Sequence, residues 1–253
     1  MTMPTPAITT AATTSTTPRR RRSRRLAAPR PRAGARARLG AAALGLTLLF
    51  LAIPRIVSGA LILPHEPVIR LVQHGADIPV ERLVEARRAY EAAIAWHGGA
   101  DEWAGLAVLQ LRLALTLGIS SPGGRAVLES ARESARQALA RTPADPYVWA
   151  QLAEAERILE GPGPAFRAAL MRSVATGPHE PTLAPFRAAL GLGAWDVLND
   201  AERERIADQV RVAAELQPER LRRAVTDPLR MRLIAEILEG RPDLYARLRG
   251  GGS

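Results

Sequence analysis

ARESARQALARTPADPYVWAQLA, residues 131–153, decides how the rest of the chain is read. Ala131, Ala135 and Ala138 recur at helical spacing, Pro143 closes the segment in a turn, and Trp149, Leu152 and Ala153 follow on a second helix. Small residues let paired helices approach closely, while Trp149 and Leu152 supply the bulk that fills the space between them.

The same grammar extends outward. From Ile78 onward the chain reads as helices with short breaks, and no segment shows convincing strand alternation. Val80, Leu83, Val84, Tyr90 and Ile94 line one side of a helix, with arginines and glutamates opposite. Ser121 before Pro122 is a helix start, and Asn199 with Glu202 has capping-box spacing ahead of the stripe Ile206, Val210 and Ala213. Gly161 and Gly240 follow apolar runs as helix-ending glycines do.

The 131–153 stretch resembles the junction between two tetratricopeptide repeats. Ala131, Ala135, Ala138 and Pro143 correspond to a second helix and its turn, and Trp149, Leu152 and Ala153 to the next first helix. Two positions depart from the pattern: Ala135 stands where a large aromatic is usual, and Glu156 where a tyrosine is expected. WAGLA, with Trp103, Leu106 and Ala107, echoes WAQLA 46 residues later, and Trp195 falls another 46 on. That period exceeds the about 34 residues of a regular repeat. The resemblance implies an all-α fold with a degenerate, tetratricopeptide-like domain over 78–216, offering an extended surface to peptides or protein segments. Residues 217–249 are expected to add two or three capping helices, and 250–253 to form a loose end.

The other end of the chain differs sharply in charge. Ten of the 35 basic residues and none of the 25 acidic ones fall in residues 1–38, so the net charge of +10 belongs to this tail and the body is formally neutral. Residues 1–17 are rich in threonine, alanine and proline, and 1–38 as a whole is expected to be disordered, having too little apolar surface to offset the entropy of ordering.

Leu39 to Ile53 follows without a charge or a proline, and apolar character resumes after Pro54 and Arg55. As a helix, 39–63 would cover roughly 37 Å, more than the ~30 Å hydrocarbon core of a bilayer. A retained transmembrane helix is expected; cleavage near Ala60 as a signal peptide is the alternative. Arg55 would snorkel and Pro54 would be tolerated as a kink. Arg19, Arg20, Arg21, Arg22, Arg24 and Arg25 lead a run that holds the N-terminus in the cytoplasm, with anionic lipid attracting each nearby arginine by about 1 kcal/mol. Residues 64–77 would then be a linker and the body periplasmic, on the inner membrane of a bacterium.

Composition also excludes chemistry. Every basic residue is arginine, which rules out Schiff-base catalysis and a Walker-type phosphate loop, and the absence of cysteine removes disulfides, thiolate nucleophiles and thiolate metal sites. His65, His74, His97 and His179 are scattered beside proline or glycine breaks, without metal-ligand spacing. Asp101, Glu102 and Asp243 read as helix-start acids, and Gly123 with Gly124 as part of a cap. No catalytic residue, metal, cofactor or small-molecule substrate is expected, and the tryptophans read as packing residues between repeat helices.

The layout is similar to that of membrane-anchored tetratricopeptide-like proteins that accompany bacterial polysaccharide synthesis, export or secretion machinery. It implies protein partners in the envelope and a non-catalytic role. The alternative is a binder of nucleic acid or another anionic partner through the arginine tail, although no aromatic for base stacking precedes Phe50.

Overall fold

The computed structural model describes residues 34–73 and 75–250. The arginine run from Arg19 to Arg25, His74 and the last three residues lie outside the described residues. Chain contacts separate Met1–Thr47 from Leu48–Ser253.

Helix α1, Gly34–Ile62, has no acidic residue in its first turn and carries Pro54 inside it. Its large apolar side chains are open to the surroundings: Leu39 is 71 % exposed, Phe50 75 % and Ile56 63 %. Among the described residues, the one helical stretch long and apolar enough to cross a membrane is Ala37–Val72. Ser58 breaks the exposed pattern, being fully buried.

A 3-10 turn, Leu63–His65, leads into α2, Glu66–Gln73. The turn and this helix fall within the stretch expected as a linker, 64–77. Val68, Ile69 and Val72 fall on one side of α2 and join Leu83, Tyr90, Leu106 and Leu109 in an apolar cluster. Eight residues are too few for the sequence period to stand out, but enough to bury Val68 and partly cover Ile69 and Val72 once α3 and α4 are present.

The body continues with α3 (Val80–Trp96), α4 (Ala100–Leu117), α5 (Pro122–Arg141), α6 (Pro146–Glu160), α7 (Pro164–Thr176), α8 (Ala184–Leu192) and α9 (Asp200–Leu216). Three shorter helices close it: α10 (Pro218–Ala224), α11 (Pro228–Ile237) and α12 (Pro242–Gly250). No strand occurs among the described residues. The protein is all-helical.

Local chemistry fixes these boundaries. Ser121 Oγ accepts the Gly124 N–H at 2.9 Å, and Asp145 Oδ1 accepts the N–H groups of Tyr147 and Val148. Asn199 and Glu202 exchange reciprocal bonds of 3.0 Å in a full capping box, an arrangement each cap of which is worth about 1 kcal/mol. Six α-helices open on proline, whose missing N–H would have had no partner in the first turn. Gly161 ends α6 at φ +80, a left-handed conformation that glycine adopts without a Cβ clash. Gly240 lies in the turn beyond α11, whose cap is Leu238.

From α2 to α10 each helix packs on its neighbours in the chain, α4 also touches α6 and α6 touches α8, while α11 and α12 pack back on α9. The central core joins Ala107 of α4, Ala135 and Ala138 of α5, Leu152 and Ala153 of α6, and Phe166 and Leu170 of α7. Buried side chains of the size of Leu170 and Phe166 contribute roughly 1.5–3 kcal/mol each. A second cluster, including Val210, Leu221, Ile234 and Leu244, binds the closing helices to α8 and α9.

A groove across alternate helices

The 131–153 stretch stitches α4, α5 and α6 together. Ala131 packs with Leu111, Ala114 and Leu159, whereas Ala135, Ala138, Leu152 and Ala153 belong to the central core. Pro143 is exposed in the turn, and its carbonyl accepts the Trp149 Nε1–H at 2.8 Å. Trp149 and Trp103 are both partly buried against that core, each the fourth residue of its helix, and Leu106 and Ala107 are buried beneath Trp103 as Leu152 and Ala153 are beneath Trp149. Trp195 breaks the echo: it opens a 3-10 turn, Trp195–Val197, and stacks under the Arg203 guanidinium. The helices that would carry the period, α4, α6 and α8, begin at Ala100, Pro146 and Ala184, spaced 46 and then 38 residues apart.

Alternate helices leave an open groove of about 540 Å³. Val108, Leu111, Arg112 and Leu115 of α4 recur at i, i+3, i+4 and i+7, and Tyr147, Ala150, Gln151 and Glu154 of α6 repeat the same spacing. Val72 of α2, Phe186 of α8 and Arg220 of α10 complete the walls. Most of the lining is apolar, with the polar groups set at intervals along it.

Several of those polar groups have nothing to bond. Gln151 Oε1 and Arg112 Nε are buried with no hydrogen-bond partner. The Arg112 guanidinium is held at its other end, where Nη2 donates to the Ala76 carbonyl at 3.1 Å and to Asp77 Oδ1 at 3.3 Å. Glu154 makes no hydrogen bond or ion pair among the described residues, and desolvation lifts its carboxyl above the ordinary value against the weaker pull of Arg157. Tyr147 and Thr182 share a hydrogen bond of 2.5 Å, and Thr182 donates to Glu180 at 2.6 Å. Burial raises the Tyr147 phenol, with the Thr182 bond opposing.

Away from the groove, Trp103 Nε1 and Arg157 Nε are also buried without a hydrogen-bond partner, but the following buried groups are satisfied. Glu156, the residue found in place of a tyrosine, is 3 % exposed and lies 2.7 Å from Arg136 and 3.6 Å from Arg132 of α5. Ser134 Oγ donates to Gln110 Oε1 at 2.8 Å. Arg187 is the largest fully buried side chain and has no carboxylate on it. Its guanidinium donates to Ser173 Oγ, to the carbonyls of Ser173 and Gly177, and to Gln209 Oε1. It therefore closes the C-terminal end of α7, where orphan carbonyls favour a cation. Desolvation brings its pKa down to about 10, against the field of Glu180.

Of the helix-start acids, Glu102 does more than its position implied: its Oε1 accepts the Ser58 Oγ–H at 2.7 Å in a buried contact between α1 and α4. Neither residue is legible as a partner in the sequence, since 44 positions separate them. Asp101 and Asp243 remain in first turns. His97 caps α3, His65 ends the 3-10 turn and His179 is exposed. Among the described residues no three of His, Asp and Glu come together as metal ligands. Gly124 packs against the Gly118 carbonyl and Ser121, inside the cap of α5. Gly105, which went unremarked in the sequence, is required because a Cβ there would run into the Tyr90 ring.

Comparison of the chain with protein-family models, with curated proteins and with solved structures finds no match to any of them.

Proposed function

We propose that the chain is a non-catalytic, single-pass membrane protein whose tetratricopeptide-like body takes a segment of a partner protein into the α4–α6–α8 groove. In this reading α1 crosses the inner membrane of a bacterium, Arg19 to Arg25 hold the N-terminus in the cytoplasm against anionic lipid, and the body works in the periplasm. The protein then serves as an accessory or scaffold of polysaccharide synthesis, export or secretion machinery.

One observation carries the binding role. The groove repeats the same face of successive first helices and leaves Gln151, Glu154 and Arg112 with unused hydrogen-bonding capacity, which an apolar segment bearing a few polar groups would satisfy. The exposed apolar side chains of α1 support the anchor.

The test joins topology to partner capture. Cysteines introduced at Ser15 and at the exposed Ser130 are labelled in cells with a membrane-impermeant reagent; labelling at 130 alone is expected, and labelling of both or only of 15 overturns the topology. A photo-crosslinking residue at Gln151 or Phe186 is expected to capture a protein that the same residue at Ser130 does not. Capture of nucleic acid by the tail, with no protein at the groove, would transfer the function to the arginine run.

A further inference from the structure

Ser58 is the first α1 side chain buried against the body, although Ala60 and, just past the helix, Leu63 are still exposed. Ile53 and Ile56 are 42 % and 63 % exposed, but Ser58 is fully buried and bonded to Glu102, and Ile62 already packs with the cluster of α2, α3 and α4. A lipid-facing segment therefore ends at about Val57. From Ala37 to Val57 a helix measures roughly 31 Å, which matches the ~30 Å hydrocarbon core without using the residues beyond. Arg55, exposed two residues earlier, is placed to snorkel into the headgroups.

The Ser58–Glu102 bond fixes what else lies at that level. Glu102 is in the first turn of α4, directly after the α3–α4 turn formed by His97, Gly98 and Gly99. Just before that turn, at the last position of α3, Trp96 is 53 % exposed, although the other large side chains of the α3 stripe are covered. The Arg141 side chain is bound to the turn, donating to the Gly98 carbonyl at 2.6 Å and lying 5.5 Å from the Trp103 ring centre. An exposed tryptophan at the edge of the turn whose next helix is bonded to the end of a bilayer-length apolar segment has the chemistry of an interfacial anchor.

We propose that the α3–α4 turn, with Trp96 at its edge, rests in the lipid headgroup layer of the membrane that α1 crosses. The inference depends on α1 being a membrane anchor, and it adds a second contact between the body and the membrane. Its partner is the headgroup layer in general rather than anionic lipid: the two positive charges of Arg55 and Arg141 are offset by Asp101 and Glu102 in the first turn of α4, so the aromatic ring and not net charge provides the attraction.

Because the chain has no cysteine, single nitroxide labels can be placed at Leu44, Ala95 and Leu117 of the full-length protein in phosphatidylcholine nanodiscs. Ala95 adjoins Trp96 on the exposed side, and Leu117 is at the far end of α4. Accessibility to oxygen relative to a water-soluble nickel complex is expected to be high at 44, several-fold lower but clearly above the aqueous level at 95, and aqueous at 117. Adding Trp96→Ser should return position 95 to the aqueous level, and raising the salt should leave it unchanged. Lipid accessibility at 44 with an aqueous reading at 95 overturns the proposal and leaves the anchor standing. An aqueous reading at 44 overturns the anchor and the proposal with it, and an unchanged reading at 95 after Trp96→Ser removes the tryptophan from the contact and overturns the proposal.

Discussion

Glu154 and Glu156 are two residues apart on α6, yet one faces the groove and the other the seam with α5. In the seams between helices three buried groups are fully partnered, with two arginines for Glu156, Ser134 for Gln110 and four acceptors for Arg187, although outside the groove Trp103 Nε1 and Arg157 Nε are buried without a partner. In the groove Gln151 Oε1, Arg112 Nε and the Glu154 carboxylate do not. A seam closes once, during folding, and an orphan there costs about 1–3 kcal/mol with no later remedy. A groove stays open, so its unmet groups are a standing penalty that a bound segment can remove. The comparison teaches that Glu156, Gln110 and Arg187 are bound up in the fold, whereas Gln151, Arg112 and Glu154 along the groove keep hydrogen-bonding capacity in reserve.

Arg187→Ala strikes the seam side hardest. It empties a fully buried site and leaves the Ser173 and Gly177 carbonyls and Gln209 without their donor, so urea unfolding should show a loss of about 3–5 kcal/mol. A loss below about 1 kcal/mol would break the comparison.

Glu156→Ala should cost about 2 kcal/mol, while Glu156→Met should cost much less, because an apolar side chain of similar size removes the need for the ion pairs. Equal losses for the two would mean that packing, not charge, explains the site. Ser134→Ala is expected to remove about 1 kcal/mol by leaving Gln110 Oε1 buried without its donor.

Glu154→Gln has the smallest effect and the opposite sign. Burial raises the folded carboxyl above its ordinary 4.5, so the native state binds the proton more tightly than the unfolded chain. Wild-type stability therefore falls as pH rises from 4.5 through the folded pKa, and grows as pH is lowered through that window. The variant, which cannot ionise, should be more stable at neutral pH by ~0.5 kcal/mol, and the gap should close below pH 4.5. A gap that widens on acidification would show Glu154 to be a paired group like Glu156.

Much of the frame is legible in the sequence because it depends on neighbours a few residues apart. Ser121, Asn199 and the alanines from Ala131 to Ala138 act within one or two helical turns, and their roles follow from spacing. The groove escapes such reading, since α4 and α6 each contribute a half-apolar face that is ordinary taken singly, and α2, α8 and α10 add one residue apiece from distant parts of the chain. Arg187 is hidden for a different reason: arginine is read as solvated, and only the packing of α8 against the end of α7 turns it inward. The apolar neighbours in FRAALGL were the one available sign. Ser58 and Glu102 each had a sufficient local explanation, as a small residue near a cleavage pattern and as a helix-start acid, and so concealed one another.

The bond between those two residues has a structural consequence. Glu102 sits at one end of α4, and Arg112 and Leu115 form part of the groove wall toward the other. A helix of that length covers roughly 27 Å, so the residue that ties the end of α1 to the body and the wall of the groove are two ends of one continuous element.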